Sequence, residues 1–360
     1  MRRGEGGGHR GSNDISYYDP PLNLPLMRGR KGIPMPIFVS GSIARDVIMD
    51  FPGRFRDYID PKRIHVLSLS FAVENLKENF GGAAANICYN LALLGERPAI
   101  LGRLGREGLE IKKYLQKQGI DTNGIVISES RRTATAYIIT DRDDNQIAGF
   151  HAGAMNESVK FPKVNKGDWG IIAAENPRNM IKLAKYYAAR GVNYIFDPGQ
   201  AITALSKQDL IAGIKGAKVL IGNDYEIGLI ARKIPAIKKV LTVRAQSRTF
   251  QARNYEFSFS TGSKTKFSGI IVRTLGPKGS EIYCDRKKIQ IGIAKPRRVV
   301  DPTGAGDAYR AGFLKGLILG YNLKECGRLG AAVASFAVEK YGTQNHRFTW
   351  KEILKRSHEI

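Results

Sequence analysis

Cysteine is scarce in this 360-residue chain: Cys88, Cys284 and Cys326 are odd in number, widely spaced and free of any C-x-x-C pattern. That excludes a disulfide framework and offers no zinc-binding spacing, so the three read as reduced core residues. Acidic residues are also few, 33 against 57 Lys and Arg, for a formal net charge of +24. No stretch approaches the roughly 20 apolar residues of a membrane span. The opening Met1-Arg2-Arg3-Gly4-Glu5-Gly6-Gly7-Gly8 lacks the apolar core of a secretory signal. A cytoplasmic protein without a membrane partner is expected.

What is present is enough for a large fold, since 42% hydrophobic residues can fill a buried core. The positive charge is localised: residues 228–300 hold seventeen Lys and Arg against three acids. Such a face suits a polyanionic ligand, or a solvated surface in a salty or hot interior. No nucleic-acid module accompanies it, so nucleic acid is not expected as the main partner. Residues 1–35, rich in Gly, Pro, Arg and Asn, read as a flexible tail, and 36–360 as the folded domain.

The pattern with most chemical content is Asp301-Pro302-Thr303-Gly304-Ala305-Gly306-Asp307, placed after Val299-Val300 and before Ala308-Tyr309-Arg310-Ala311-Gly312-Phe313-Leu314. It reads as strand, tight turn and helix start. Glycines 304 and 306 let the backbone approach a ligand, and free N–H groups at a helix N-terminus bind anions. A carboxylate at the inner end would repel a resting phosphate. It makes sense as a base taking a proton from a hydroxyl that attacks that phosphate, which makes Asp307 the candidate catalytic residue.

Upstream, Phe80-Gly81-Gly82 precedes Ala83 to Gly95, where Ile87, Leu91 and Leu94 form one helical stripe. Gly81 and Gly82 permit close approach of a substrate, and Asn86 offers a donor and an acceptor to hydroxyls. Pro36–Ser40 reads as a buried strand, with Ser42 and Asp46 beyond its carboxyl end, where ligands of open α/β sheets collect. Asp46 could equally be a turn or cap residue. Short apolar runs at 98–102, 170–174, 194–197 and 219–222 alternate with helix-like segments at 110–118 and 179–190, the rhythm of a mainly parallel, doubly wound sheet with helices on both faces. Thr133–Thr140 and Gln146–Phe150 flank a polar turn as a hairpin, and Leu67–Phe71 alternates like a strand. Asn223-Asp224-Tyr225-Glu226 suits a phosphate contact and a hydrated Mg²⁺ ion, although a helix cap with a first-turn acid would look the same.

The turn at 301–307 with its helix, the Gly-Gly-x-x-x-Asn at 81–86 and the Asn-x-x-Glu at 223–226 together resemble the ribokinase-like, or PfkB, family of sugar and nucleoside kinases, with greatest similarity to adenosine kinases. The resemblance spans about residues 36 to 345 outside an apparent insertion near 244–269. It implies an α/β fold with a small β-sheet lid, built from strands near 63–73 and 133–150. It further implies ATP as co-substrate and Mg²⁺, with Glu226 holding the ion through water. N–H groups of Gly304, Ala305 and Gly306 would stabilise the transferring phosphoryl group.

By the same resemblance Asp46 and Ser70 would hold sugar hydroxyls, Phe150 would stack on a base, and Gln200 would face the nucleoside. Thr274, Gly276 and Gly279 would line the ATP site beside Asn223, and Thr343 would border its adenine. K⁺ is implied at a site bordered by Asp301 and Thr303. The implied reaction is phosphorylation of a nucleoside 5′-hydroxyl, adenosine first, with other nucleosides, ribose or a ribose phosphate as alternatives. A homodimer stays open. So does an RNA-associated protein on a kinase fold. The region Gly102-Arg103-Leu104-Gly105-Arg106-Glu107-Gly108 departs from the family's Gly-x-Asp-x-x-Gly, leaving the role of that Asp unfilled.

Overall fold

The computed structural model describes residues 35–66, 68–143, 145–242, 258–260, 266–285 and 287–360. In chain order they form β1 (Ile37–Ser40), β2 (Ala44–Asp50), β3 (Asn75–Gly81), α1 (Ala83–Leu93), β4 (Pro98–Gly105), α2 (Leu109–Lys117), β5 (Asp121–Ser128), β6 (Ala134–Thr140), β7 (Gln146–His151) and β8 (Trp169–Ile172). They continue through α3 (Pro177–Arg190), β9 (Asn193–Phe196), α4 (Lys207–Lys215), β10 (Val219–Asn223), α5 (Asp224–Lys233), α6 (Pro235–Leu241), β11 (Ser258–Ser260) and β12 (Lys266–Ser268). The last elements are β13 (Ile270–Thr274), β14 (Ser280–Cys284), β15 (Lys287–Ile291), α7 (Ala305–Ile318), α8 (Leu323–Ala337) and α9 (Trp350–His358).

Nine strands form one sheet in the order β15-β14-β13-β10-β9-β8-β1-β4-β5, parallel from β13 to β5 with an antiparallel edge at β14 and β15. Both faces are covered, which is why its central strands read as unbroken apolar runs. Val39, Ile171, Ile195 and Ile221 point to a core shared with α1, α2, α7, α8 and α9. Ile172, Phe196 and Leu220 point the other way, to α3, α4, α5 and α6. Local chemistry sets the helix ends: Asn176 caps α3 through the Arg178 N–H, Pro177 opens it, and Gly191 closes it in the left-handed region at φ 66°. Among the described residues no helix is long and apolar enough to cross a membrane.

A separate four-stranded sheet, β3-β2-β6-β7, forms the lid. The hairpin expected at 133–150 is present, with Asp141 accepting N–H bonds from Phe55, Asp143 and Asn145 to hold its turn. The strand expected at 63–73 is not. Pro61–Val66 is a 3₁₀ helix, and no strand forms between Asp50 and Asn75 among the described residues. The edges of β2 are taken by β3 and β6, and Phe71 instead packs its ring against Phe51 at 4.6 Å, Phe55 at 5.3 Å and Tyr58 at 6.0 Å. Of the expected insertion, β11 and β12 pair as an antiparallel ribbon, with β12 beside α4. Residues 243–257 and 261–265 lie outside the described residues, as does the expected tail through residue 34.

Lys315 of α7 is fully buried and pairs with buried Glu96 after α1, its ammonium 5.8 Å from the Trp350 ring of α9. Three helices therefore meet at one desolvated charge pair. Lys315→Met, which strands Glu96, is expected to lower unfolding free energy by about 3–5 kcal/mol, and adding Glu96→Leu to recover most of it. Denaturant titration of both variants measures this.

Candidate active site

The expected site residues collect at the carboxyl ends of the parallel strands, under the lid. Ser42 follows β1, Asp197 follows β9, Asn223 ends β10 and Thr274 ends β13. Facing them is the N-terminus of α7, which Gly304 enters in the left-handed region at φ 78°. A side chain could not replace that hydrogen, since a Cβ would stand 3.0 Å from Thr343. The N–H of Ala305 is spent within the turn, donating to the Pro302 carbonyl at 3.2 Å. That corrects the expected trio of free donors. Those of Gly304, Gly306 and Asp307 have no protein acceptor among the described residues, and they form the positive end of the helix.

Asp307 is at the third position of α7, its carboxyl among protein atoms. Asn86 of α1 donates from Nδ2 to Asp307 Oδ2 at 2.9 Å, while Oδ1 has no hydrogen-bond partner among the described residues. Loss of hydration pushes the Asp307 pKa up to about 6, with Arg310 and Asn86 opposing and Asp197 and Glu226 adding to the rise. Arg310, one turn along, is buried and paired to buried Asp197, Nη2 donating to Oδ1 at 2.6 Å, with Nη2 also 3.9 Å from Glu226. Sequence reading missed both Arg310 and Asp197. The signal was there, since an arginine inside an otherwise small and apolar helix start needs an acid to pair with.

Asn223 and Glu226 form a reciprocal capping box at the start of α5: Asn223 Oδ1 accepts the Glu226 N–H at 2.8 Å, and Glu226 Oε2 the Asn223 N–H at 2.8 Å. Glu226 Oε1 keeps no hydrogen bond among the described residues. Burial, then the neighbouring Asp197 charge, raises its pKa. Among the described residues no three His, Cys, Asp or Glu side chains converge on a metal position. One carboxylate oxygen with no protein partner among the described residues, Glu226 Oε1, fits Mg²⁺ held through water and phosphate.

On the lid, Asp46 is in β2 rather than in a turn after β1. It stands opposite Asn79 of β3 and Ala136 of β6, and Ala136 opposes Phe150 of β7, so these four share one face. The opposite face carries Arg45, bonded to Glu78 and the Glu107 carbonyl, and Phe80, 5.2 Å from Tyr114 of α2. The Asp46 face is thus the one toward the strand ends. Burial, then the nearby Asp301 charge, raises the Asp46 pKa to about 6. Phe150 is 53% exposed there. Gly81 leaves room for Asp46, whose Oδ2 would lie 2.2 Å from a Cβ at that position, and Gly82, at φ 93°, brings its backbone against the Ser42 carbonyl.

Several expectations change. Ser70 is exposed, in a segment outside the lid sheet, because the strand expected to carry it does not form. Ser42 Oγ accepts the Ala83 N–H at 2.9 Å and so caps α1 from outside, leaving it a supporting residue. Thr343 does not line the apolar cleft beside the turn. It is buried, with Oγ1 donating to the Phe80 carbonyl at 3.3 Å, because residues 343–346 fold along α1. Gln200 is exposed, in the 3₁₀ turn after Asp197. Asp301 is held by the Thr303 and Gly342 N–H groups, each at 2.9 Å. Glu107 answers the altered Gly-rich region: its Oε1 accepts the Thr133 N–H at 2.6 Å, at the root of the lid hairpin.

Beside the turn is a cleft of about 380 Å³ lined by Thr274, Gly276 and Gly279 and also by Ala305, Gly306, Tyr309, Ala334 and Val338. The small residues of α8 make it flat and apolar. A profile of pfkB family carbohydrate kinases matches residues 53–350. The chain belongs to the pfkB family. It is 33% identical over 291 residues, covering 80% of this chain and 88% of the relative, to a nucleoside kinase of Methanocaldococcus jannaschii. The fold matches the crystal structure of the M. jannaschii nucleoside kinase with a TM-score of 0.74 at 30% identity, over 91% of this chain and 99% of the other. It also matches a Burkholderia thailandensis nucleoside kinase in complex with inosine, with a TM-score of 0.72 at 30% identity over 90% and 97%. This pfkB family member is a phosphotransferase with an alcohol acceptor.

Gly81→Ala displaces the Asp46 carboxylate while leaving the nucleotide cleft untouched. Steady-state kinetics are expected to show the acceptor KM rising about tenfold or more, with the donor KM unchanged. An unchanged acceptor KM would separate Asp46 from acceptor binding.

Proposed function

We propose that this kinase transfers the γ-phosphoryl group of ATP to the 5′-hydroxyl of a nucleoside, with adenosine the first candidate. The observation that carries the nucleoside reading is the lid face on which Asp46, suited to sugar hydroxyls, is in register with an exposed aromatic ring at Phe150, suited to a base. The relatives named above are nucleoside kinases, one of them seen with inosine and also with ADP-inosine. A purine nucleoside is therefore the class to test first.

In this reading Asp307 Oδ1, the oxygen Asn86 leaves free, accepts the proton of the attacking hydroxyl. The N–H groups of Gly304, Gly306 and Asp307 stabilise charge on the transferring phosphoryl oxygens. The apolar cleft between Thr274 and α8 takes the adenine of ATP. Glu226, with Asp197 behind it, would hold hydrated Mg²⁺. When bound, Mg²⁺ neutralises the phosphate charge. The Asp301 carboxylate and the turn around it are the place for K⁺.

The experiment is ADP release with Mg-ATP and a panel of adenosine, inosine, guanosine, cytidine, ribose and ribose phosphates. Preference for a purine nucleoside is expected. Turnover only with a sugar would remove the role of Phe150, and none with any acceptor would contradict the reading. Asp307→Asn is expected to lose about two to four decades of kcat while still binding both ligands. The acid limb of kcat/KM follows from the same residue. A base must be ionised, and its pKa is raised from 3.8 to about 6, so the rate should fall as pH drops through about 6. A limb near pH 4 would contradict it.

A further inference from the structure

Behind Asp307 lies a chain of two amides, the motif residue Asn86 and, beyond it, Gln344. Gln344, 5% exposed, donates from Nε2 to Asn86 Oδ1 at 2.9 Å, and Asn86 Nδ2 donates to Asp307 Oδ2 at 2.9 Å. An asparagine amide has one accepting and one donating end. With the accepting end filled by Gln344, the donating end must face Asp307. The reversed amide would set its oxygen against the carboxylate and its NH₂ against that of Gln344, two repulsions in place of two hydrogen bonds.

Gln344 is itself held firmly. Tyr114 OH donates to its carbonyl at 3.4 Å, and Tyr89 OH to the His346 carbonyl at 2.7 Å. His346 Nε2 is 2.8 Å from Asn90 Oδ1, and Asn90 Nδ2 donates to the Asn86 carbonyl at 2.9 Å. The segment is therefore stitched to α1 along two turns. Gln344 Oε1, by contrast, is buried without a protein partner, beside a polar pocket of about 170 Å³ that Asn79, Tyr114 and Thr343 also line.

We propose that Gln344 is a positioning residue for phosphoryl transfer, locking the Asn86 amide so that its N–H end holds the Asp307 carboxylate ionised and leaves Oδ1 to the acceptor hydroxyl. This rests on the reading of Asp307 as the base. The other charged groups facing Asp307 are Arg310 on α7, Asp197 after β9 and Glu226 on α5, and among the described residues the Gln344 side chain hydrogen-bonds to Asn86 and to none of the three.

The test is the pH dependence of kcat/KM for Gln344→Met and Gln344→Glu beside the unmodified enzyme, with thermal midpoints for each. Gln344→Met keeps the volume and removes the donor. Gln344→Glu replaces the donor by an acceptor, which turns the Asn86 amide around and points its oxygen at Asp307. The acid limb is expected to move upward in both, by about one pH unit in Gln344→Glu and less in Gln344→Met, with kcat reduced more than acceptor KM is raised. A limb that stays in place in Gln344→Met, with only kcat or the thermal midpoint lowered, would overturn the assignment even if Gln344→Glu fails to fold. Asp307→Asn separates the two levels. Retained turnover there removes Asp307 as the base, whereas lost turnover with an unmoved limb removes Gln344 alone.

Discussion

One constraint governs the site: in the proposed reaction a carboxylate has to stay ionised while partly buried at the helix start. Desolvation works against that, and at Asp307 it is the largest influence. The remedies come from distant parts of the chain. Asn86 supplies a hydrogen bond from α1, Arg310 a charge from the same helix, and the start of α7 its positive end. Arg310 in turn needs Asp197 to survive its own burial, which ties the base to the end of β9. The base is thus a property of the parallel sheet with its strand ends aligned, and no local segment could produce it alone.

The same logic explains the glycines that matter. At Gly304 the backbone must take a left-handed turn against Thr343, and at Gly81 it must yield to the Asp46 carboxylate. In both places a neighbouring side chain occupies the volume that a Cβ would need. The lid is arranged by register: Asp46, Ala136 and Phe150 lie across adjacent strands on one face, while Arg45 and Phe80 on the other face anchor the lid to α2. Glu107 fixes the root of the lid hairpin through the Thr133 N–H.

Much of this was legible in the sequence. The buried parallel strands announce themselves as apolar runs, and the turn at 301–307 declares both its geometry and its chemistry, because glycine and aspartate at those spacings leave few alternatives. Long-range pairing was not legible. The stretch at 67–71 alternates like a strand, but its Phe71 goes to an aromatic cluster; Ala44–Asp50 has no turn chemistry to announce it, pairs with β3 and β6 and becomes the centre of the lid. Thr343 sits in a plausible motif, yet the segment is drawn onto α1 by Gln344 and His346 and away from the nucleotide cleft. Asn223 and Glu226 form the cap that their spacing allowed, and this leaves one carboxylate oxygen of Glu226 open.

The most direct test of the central claim is a carbon-13 NMR titration of the aspartate carboxyls, with the Asp307 resonance identified by its absence in Asp307→Asn. A carboxyl titrating at about 6, coincident with the acid limb of kcat/KM, is the predicted result. Titration of Asp307 near the ordinary value of 3.8, or a limb that does not follow it, would contradict the assignment of Asp307 as a partly buried base poised by its neighbours.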